Sequence, residues 1–257
     1  MDILRKELTE FYTSQWLAAE KLPSGAIEDC CGLAEAFAMM SGGCAVVTDA
    51  AFDTCSVYSG PLGRLLGISD EDRMHFSIAS SDEDAIYDRL HPEDLVEKRM
   101  LEYEFFKHVD LLNPSEKTGY IASCRIRMLG RSGRYIAVDN TTQVIRTSPA
   151  GKVWLILCTY RISPFEADGS DILPRITDIR SGRITTLPLA SRRSSVLSNR
   201  EKQILRLIGE GMPSKQIATR LGISVNTVSR HRQNILARLS VGNSIEAYAA
   251  ATAMKLL

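Results

Sequence analysis

Ser214-Lys215-Gln216-Ile217-Ala218-Thr219-Arg220-Leu221-Gly222-Ile223-Ser224-Val225-Asn226-Thr227-Val228-Ser229-Arg230-His231-Arg232-Gln233-Asn234-Ile235 is the stretch that decides how this chain is read. Ile217, Ala218 and Leu221 recur at helical spacing, and Gly222 stands where a helix closes on a left-handed residue. Ser214 is placed to cap this helix and Ser224 to cap the next. In the second helix Val225, Val228, Ile235 and Leu239 mark an inward face. Asn226, Ser229, Arg230 and Gln233 fall at intervals of three and four on the opposite one. Two short helices joined by Leu221-Gly222-Ile223-Ser224, the second rich in arginine and amide side chains, meet the requirements of a helix-turn-helix.

Upstream, Ser198-Asn199-Arg200-Glu201 has the form of a capping box and opens a preceding helix whose buried face is Ile204, Leu205 and Ile208. Gly209, Gly211 and Pro213 end it. From 197 to 257 there are nine basic residues against three acidic ones, a balance of +6. The whole chain is neutral, with 31 of each sign, so residues 1–196 carry −6. A basic module beside an acidic one suits binding of a polyanion at one end and a separate task at the other. On the outward face, arginine can pair with guanine and asparagine or glutamine with adenine, so Asn226, Ser229, Arg230 and Gln233 are the expected base readers. Lys215, Thr227, Arg232 and Asn234 lie at the margins, where phosphate oxygens are in reach and register is set.

Leu197-Ser198-x-Arg200-Glu201, Gly211 through Ala218, Leu221 through Ser224 and Thr227-Val228-x-x-His231 together resemble the LuxR-type (GerE-like) DNA-binding domain, over residues 197 to about 252. The resemblance implies four helices, the third in the major groove of duplex DNA and the fourth in a dimer contact. Here Asn243-Ser244-Ile245-Glu246 would cap the fourth, and Ile245, Tyr248, Ala249 and Thr252 would face a second copy. Where the family usually has lysine after Thr-Val, this chain has Ser229, so one familiar DNA contact is absent and Arg230 or Arg232 would replace it. Sigma-factor region 4 has a similar pattern but tends to carry arginine where His231 stands. His231 itself reads as a partly buried, hydrogen-bonded helix residue.

The N-terminal part opens with an amphipathic helix through Ile3, Leu4, Leu8, Phe11, Tyr12 and Trp16, then a second helix carrying Leu33, Ala34, Phe37 and Met40. Strands are expected at 44–48 and 54–58, short helices over 61–90, and a longer helix opened by His91-Pro92-Glu93-Asp94. The period then changes to two, predicting three antiparallel strands over 120–129, 134–146 and 152–163. This α+β order, with Leu90 through Leu95, Gly130 through Tyr135 and Gly151-Lys152-Val153, resembles a PAS domain over 42–163. That implies a sensor of a small ligand or a dimerisation module. No cofactor is assigned: flavin-adduct surroundings are missing around Cys124, and neither His91 nor His108 is a favoured haem ligand. The expected division is a helical segment at 1–41, the PAS-like domain at 42–163, a linker at 164–196 and the helix-turn-helix domain at 197–257. Within the linker, the segments flanking Ser181-Gly182 could pair as a hairpin.

The six cysteines form no zinc-spaced cluster, apolar runs such as 153–158 are too short to span a bilayer, and no secretory signal opens the chain, so a cytoplasmic protein free of membranes is expected. Phosphate-binding loops, nucleophile elbows and zinc-protease motifs are missing, and the antiparallel meander argues against a phosphorylatable receiver domain. The expectation is a transcriptional regulator rather than an enzyme, with duplex DNA, a second copy and RNA polymerase as partners. An adaptor using both domains to bind proteins is the alternative, and it predicts no salt-dependent affinity for duplex.

Overall fold

A computed structural model describes residues 3–15, 17–70, 74–81, 83–166, 172–189, 197–239, 241–253 and 256–257. The chain forms two compact units, one of residues 8–187 and one of residues 188–257 with the first seven residues. The larger holds an eight-stranded antiparallel sheet with helices and the smaller is helical, the α+β plus all-α combination expected.

In the larger unit the elements run α1 (Ile3–Ser14, which begins outside it), α2 (Ala26–Ser41), β1 (Cys44–Asp49), β2 (Thr54–Ser59), α3 (Pro61–Leu66), β3 (His75–Ile78), α4 (Asp84–Tyr87), α5 (Pro92–Asp110), β4 (Tyr120–Leu129), β5 (Tyr135–Thr147), β6 (Val153–Ile162), β7 (Arg175–Asp178) and β8 (Arg183–Thr186). The strand order is β3-β2-β1-β6-β5-β4-β7-β8. The three long strands lie within a residue or so of their expected bounds.

Three features depart from expectation. The segment 164–196 is not wholly a linker: β7 and β8 form the hairpin around Ser181-Gly182, and β7 adds to the edge of β4 with Ile176 opposite Ala122. Its stretches 167–171 and 190–196 lie outside the described residues. The region 61–90 holds an edge strand, β3, between its short helices. Finally, α2 packs on the sheet through Ala26, Cys30, Ala34 and Ala38, while Leu33 and Met40 are exposed. Small side chains let the helix approach closely over Ala45, Val47, Trp154 and Leu155, which larger ones would prevent. Of the expected face of α1, Leu8 is buried and Phe11 stacks on Phe106, whereas Trp16 and the side chains of Ile3 and Leu4 are not described.

The sheet's opposite face is covered by α5. Pro92 occupies its first turn, and His91 Nδ1 accepts from the Glu93 amide at 3.3 Å. The two acids at its positive end also hold the helix to the sheet. Arg127 of β4 donates to Glu93 at 3.0 Å and to Asp94 at 2.5 Å. Beneath α5 the core includes a buried polar cluster. Lys98 Nζ lies 2.5 Å from Glu102 Oε1 and donates to the Tyr87 hydroxyl at 3.0 Å, and Tyr160 donates to Glu83 at 2.5 Å. Burial pushes the Glu83 carboxyl and the Tyr160 and Tyr87 hydroxyls up, against the pull of the Lys98 ammonium on Glu83.

In the smaller unit α6 (Asn199–Gly209), α7 (Ser214–Leu221), α8 (Val225–Leu239) and α9 (Ser244–Ala253) enclose a core of Leu197, Ile204, Leu205, Ile217, Val228, Ile235, Leu239, Ala247 and Ala251 among others.

Candidate nucleic-acid interface

The capping box forms as read: Glu201 N–H donates to Ser198 Oγ at 3.2 Å, and Ser198 N–H to Glu201 Oε2 at 2.8 Å. That same buried carboxylate accepts from Arg238 of α8 at 3.0 Å, so one glutamate closes a helix end and ties two helices together. Gly222 takes φ 63° and ends α7, turning the chain sharply enough for α8 to start three residues later. Ser224 Oγ accepts from the Thr227 amide at 3.0 Å and caps α8. At α9, Asn243 Oδ1 accepts from the Ile245 and Glu246 amides at 3.0 Å, while Glu246 reaches back to the Gly242 amide.

Two local expectations are corrected. Ser214 does not cap α7: Pro213 holds the N-cap position with no side-chain bond, leaving the amides of the first turn uncapped by any side chain. Val225 is 41% exposed and does not join Val228, Ile235 and Leu239 in the core, because the first residue of α8 lies at its open end. Val225 thus adds an apolar group to the outward face that periodicity had assigned inward. Its position just after a capping serine was the available signal, and a methyl-bearing side chain there suits contact with thymine.

The outward face of α8 is solvent-accessible throughout. Asn226, Ser229, Arg230 and Gln233 are all exposed on one face of the helix, with Asn234 beside them. Neither Arg230 nor Lys215 forms an ion pair among the described residues. Lys215 is exposed in the first turn of α7, where it adds positive charge to the uncapped amides. Thr227 is exposed but shares a hydrogen bond with Ser224 Oγ at 2.8 Å.

Arg232 is placed differently from the expectation of a phosphate contact. It is half-buried, with its guanidinium donating to Ser214 Oγ at 2.9 Å and to Ser244 Oγ at 2.9 and 3.2 Å. It joins the starts of α7 and α9 to the middle of α8 and so holds α8 from behind. His231 is half-buried, and its Nδ1 is enclosed with no hydrogen-bond partner among the described residues.

On α9, Ala247 and Ala251 face the core, whereas Ile245, Tyr248, Ala249 and Thr252 are exposed, Ile245 by 82%. The Tyr248 ring lies against Gly209, where a Cβ would displace it.

Four helices around one small core, three of them capped by side chains at the start and the third with a polar and cationic outer face, define a helix-turn-helix module. Residues 195–251 match the family model described as bacterial regulatory proteins, luxR family, and the C-terminal segment is a domain of that family. Over 60 residues the chain is 42% identical to the transcriptional regulatory protein UhpA of Escherichia coli strain K12, which is 23% of this chain and 31% of that protein. Over 69 residues it is 38% identical to the nitrate/nitrite response regulator protein NarL of the same strain, 27% of this chain and 30% of that protein. The match thus spans under a third of the length of these curated relatives. A solved structure of the Vibrio cholerae VqmA dimer in the absence of target DNA aligns over 90% of this chain and 88% of its own, at 12% identity and TM-score 0.32. No described helix is long and apolar enough to cross a membrane.

Proposed function

We propose that the chain is a sequence-specific DNA-binding transcriptional regulator, acting as a homodimer, with a PAS-like N-terminal unit that senses a small ligand or mediates dimerisation. The observation that carries this reading is the face of α8, where Asn226, Ser229, Arg230 and Gln233 stand exposed together above a helix pinned from behind by Arg232. An α-helix fits the major groove, and these side chains are the types that read base edges. Lys215 and the free amides of α7 supply contacts to phosphate, which fix orientation.

The exposed residues of α9 would meet their copies across a two-fold axis, setting two reading helices about one turn of DNA apart. A ligand or partner that favours one arrangement of the larger unit then changes how well both half-sites are gripped, which is linkage between two sites. Activation would further require contact with RNA polymerase.

Sequencing of genomic duplex fragments retained by the full chain tests the reading. A paired motif with half-sites about 10 base pairs apart is expected. No retention even at low salt would overturn it in favour of a protein-binding adaptor.

A further inference from the structure

The face of the sheet that carries α2 is only partly covered by it. Beyond α2, over β4, β5, β6 and β7, lies a cleft of about 440 Å³ that no part of the proposed regulator mechanism uses. Strand register builds its floor in two cross-strand rows. One runs Arg175, Ser123, Thr141 and Thr159, and the other Arg125, Asp139 and Arg161. Phe37 of α2 and Leu173 form apolar walls.

Three arginines face one carboxylate, so the cleft is positive within the acidic part of the chain. Asp139 is held mainly by Arg125, whose Nε lies at 3.0 Å, and is 3.9 Å from Arg161. Arg125 is further fixed by the Phe165 ring at 4.9 Å. Arg175 forms no ion pair among the described residues, and the Arg161 side chain is 62% exposed. The Thr141 and Thr159 hydroxyls lie 2.6 Å apart, so one of their two protons joins them and the other is free for an acceptor in the cleft. Leu173 takes φ 52°, a left-handed conformation unusual for a bulky residue, and its side chain lines the cleft.

We infer that this cleft binds a small organic anion carrying two or more carboxylate or phosphoryl groups. Arg161 and Arg175 clamp the charged groups, a threonine hydroxyl donates a hydrogen bond, and the uncharged part lies against Phe37 and Leu173. Planar guanidinium groups pair bidentately with either kind of oxyanion, and the volume matches a small molecule rather than a chain segment. The site lies on the opposite face of the sheet from the buried Lys98 cluster, and the inference does not depend on DNA binding.

Calorimetric titration of the full chain with citrate, pyrophosphate and acetate at fixed ionic strength tests it. Saturable binding of citrate, pyrophosphate or both is expected, with acetate at least tenfold weaker, and the arm that binds distinguishes carboxylate from phosphoryl ligands. The double variant Arg161→Gln/Arg175→Gln should weaken binding at least tenfold while its thermal melt and duplex retention stay unchanged, since both side chains are exposed. Arg230→Ala should leave anion binding intact. Absence of saturable binding by either polyanion, or equal binding by the double variant, would overturn the inference, and loss in Arg230→Ala instead would place the anion on the helix-turn-helix unit.

Discussion

Arg232 donates from Nη1 to Ser214 Oγ at 2.9 Å, so the middle of α8 is bonded to the first residue of α7. The same guanidinium holds Ser244 at the start of α9. One arginine therefore links three helices, and under the proposed function it would act on DNA by positioning α8. Arg232→Ala should destabilise the helical unit by about 1.5–3 kcal/mol, the range for hydrogen bonds to a charged group. Lys215→Ala should leave the melt unchanged and lower the salt slope of duplex binding by about 1. A reduced slope with an unchanged melt for Arg232→Ala would return it to the phosphates.

Ser198→Ala removes one half of the box that opens α6. A loss of about 0.5–2 kcal/mol is expected from chemical denaturation of the full chain. Glu201→Ala should cost more, because its buried carboxylate also holds Arg238. Equal losses for the two variants would show that the Arg238 bond adds nothing.

Arg127 is the shared partner of two buried acids. Their carboxylates hold its guanidinium well above the usual arginine range, Asp94 first. Arg127→Ala takes the guanidinium away from two buried carboxylates and leaves Asp94 with the backbone amide of position 127, and a loss of about 3–5 kcal/mol is expected, with α5 loosened from β4. Arg127→Ala with Asp94→Asn should recover part of it. No recovery would mean the loss comes from packing of the arginine stem.

Glu83 gives the larger unit a pH dependence of definite sign. Burial raises its folded carboxyl above the unfolded value, with Lys98 opposing and Glu102 adding to the rise. Between those two values the folded chain binds the extra proton, so this group's contribution to stability is greatest below the unfolded value and declines as pH rises through the folded one. Glu83→Gln keeps an acceptor for Tyr160 and removes the titration. The difference in melting temperature, variant minus wild type, should grow from pH 4.5 upward. A difference that is flat with pH would refute the assignment.

The helical unit was legible where local backbone chemistry decides the structure. Ser198 and Glu201, Gly222, Ser224 and Asn243 each act within four residues of themselves, and each does what its type and spacing require. Ser214 and Arg232 were misread for the complementary reason: they meet across 18 positions, and no local pattern encodes that pairing. On α2, hydrophobicity pointed to Leu33 and Met40, yet the small residues face the sheet because close approach to Trp154 rewards shape over size. The strand β3 pairs with β2 alone among the described residues and spans only His75 to Ile78, so its alternation of His75 and Ser77 with Phe76 and Ile78 is too short to stand out between helical segments. The arginine cleft was invisible for a related reason, since Arg125, Asp139 and Arg161 come together only through the register of three strands.

In the proposed function the exposed face of α8 reads base sequence, with Arg230 as its principal cation. Affinity of the full chain and of Arg230→Ala should be measured on a retained duplex and on a random one across a series of salt concentrations. For wild type, log affinity should fall linearly with log salt on both, with the retained duplex preferred. Arg230→Ala should lose about 1–3 kcal/mol of that preference. Equal losses on both duplexes, or affinity that ignores salt, would contradict the claim.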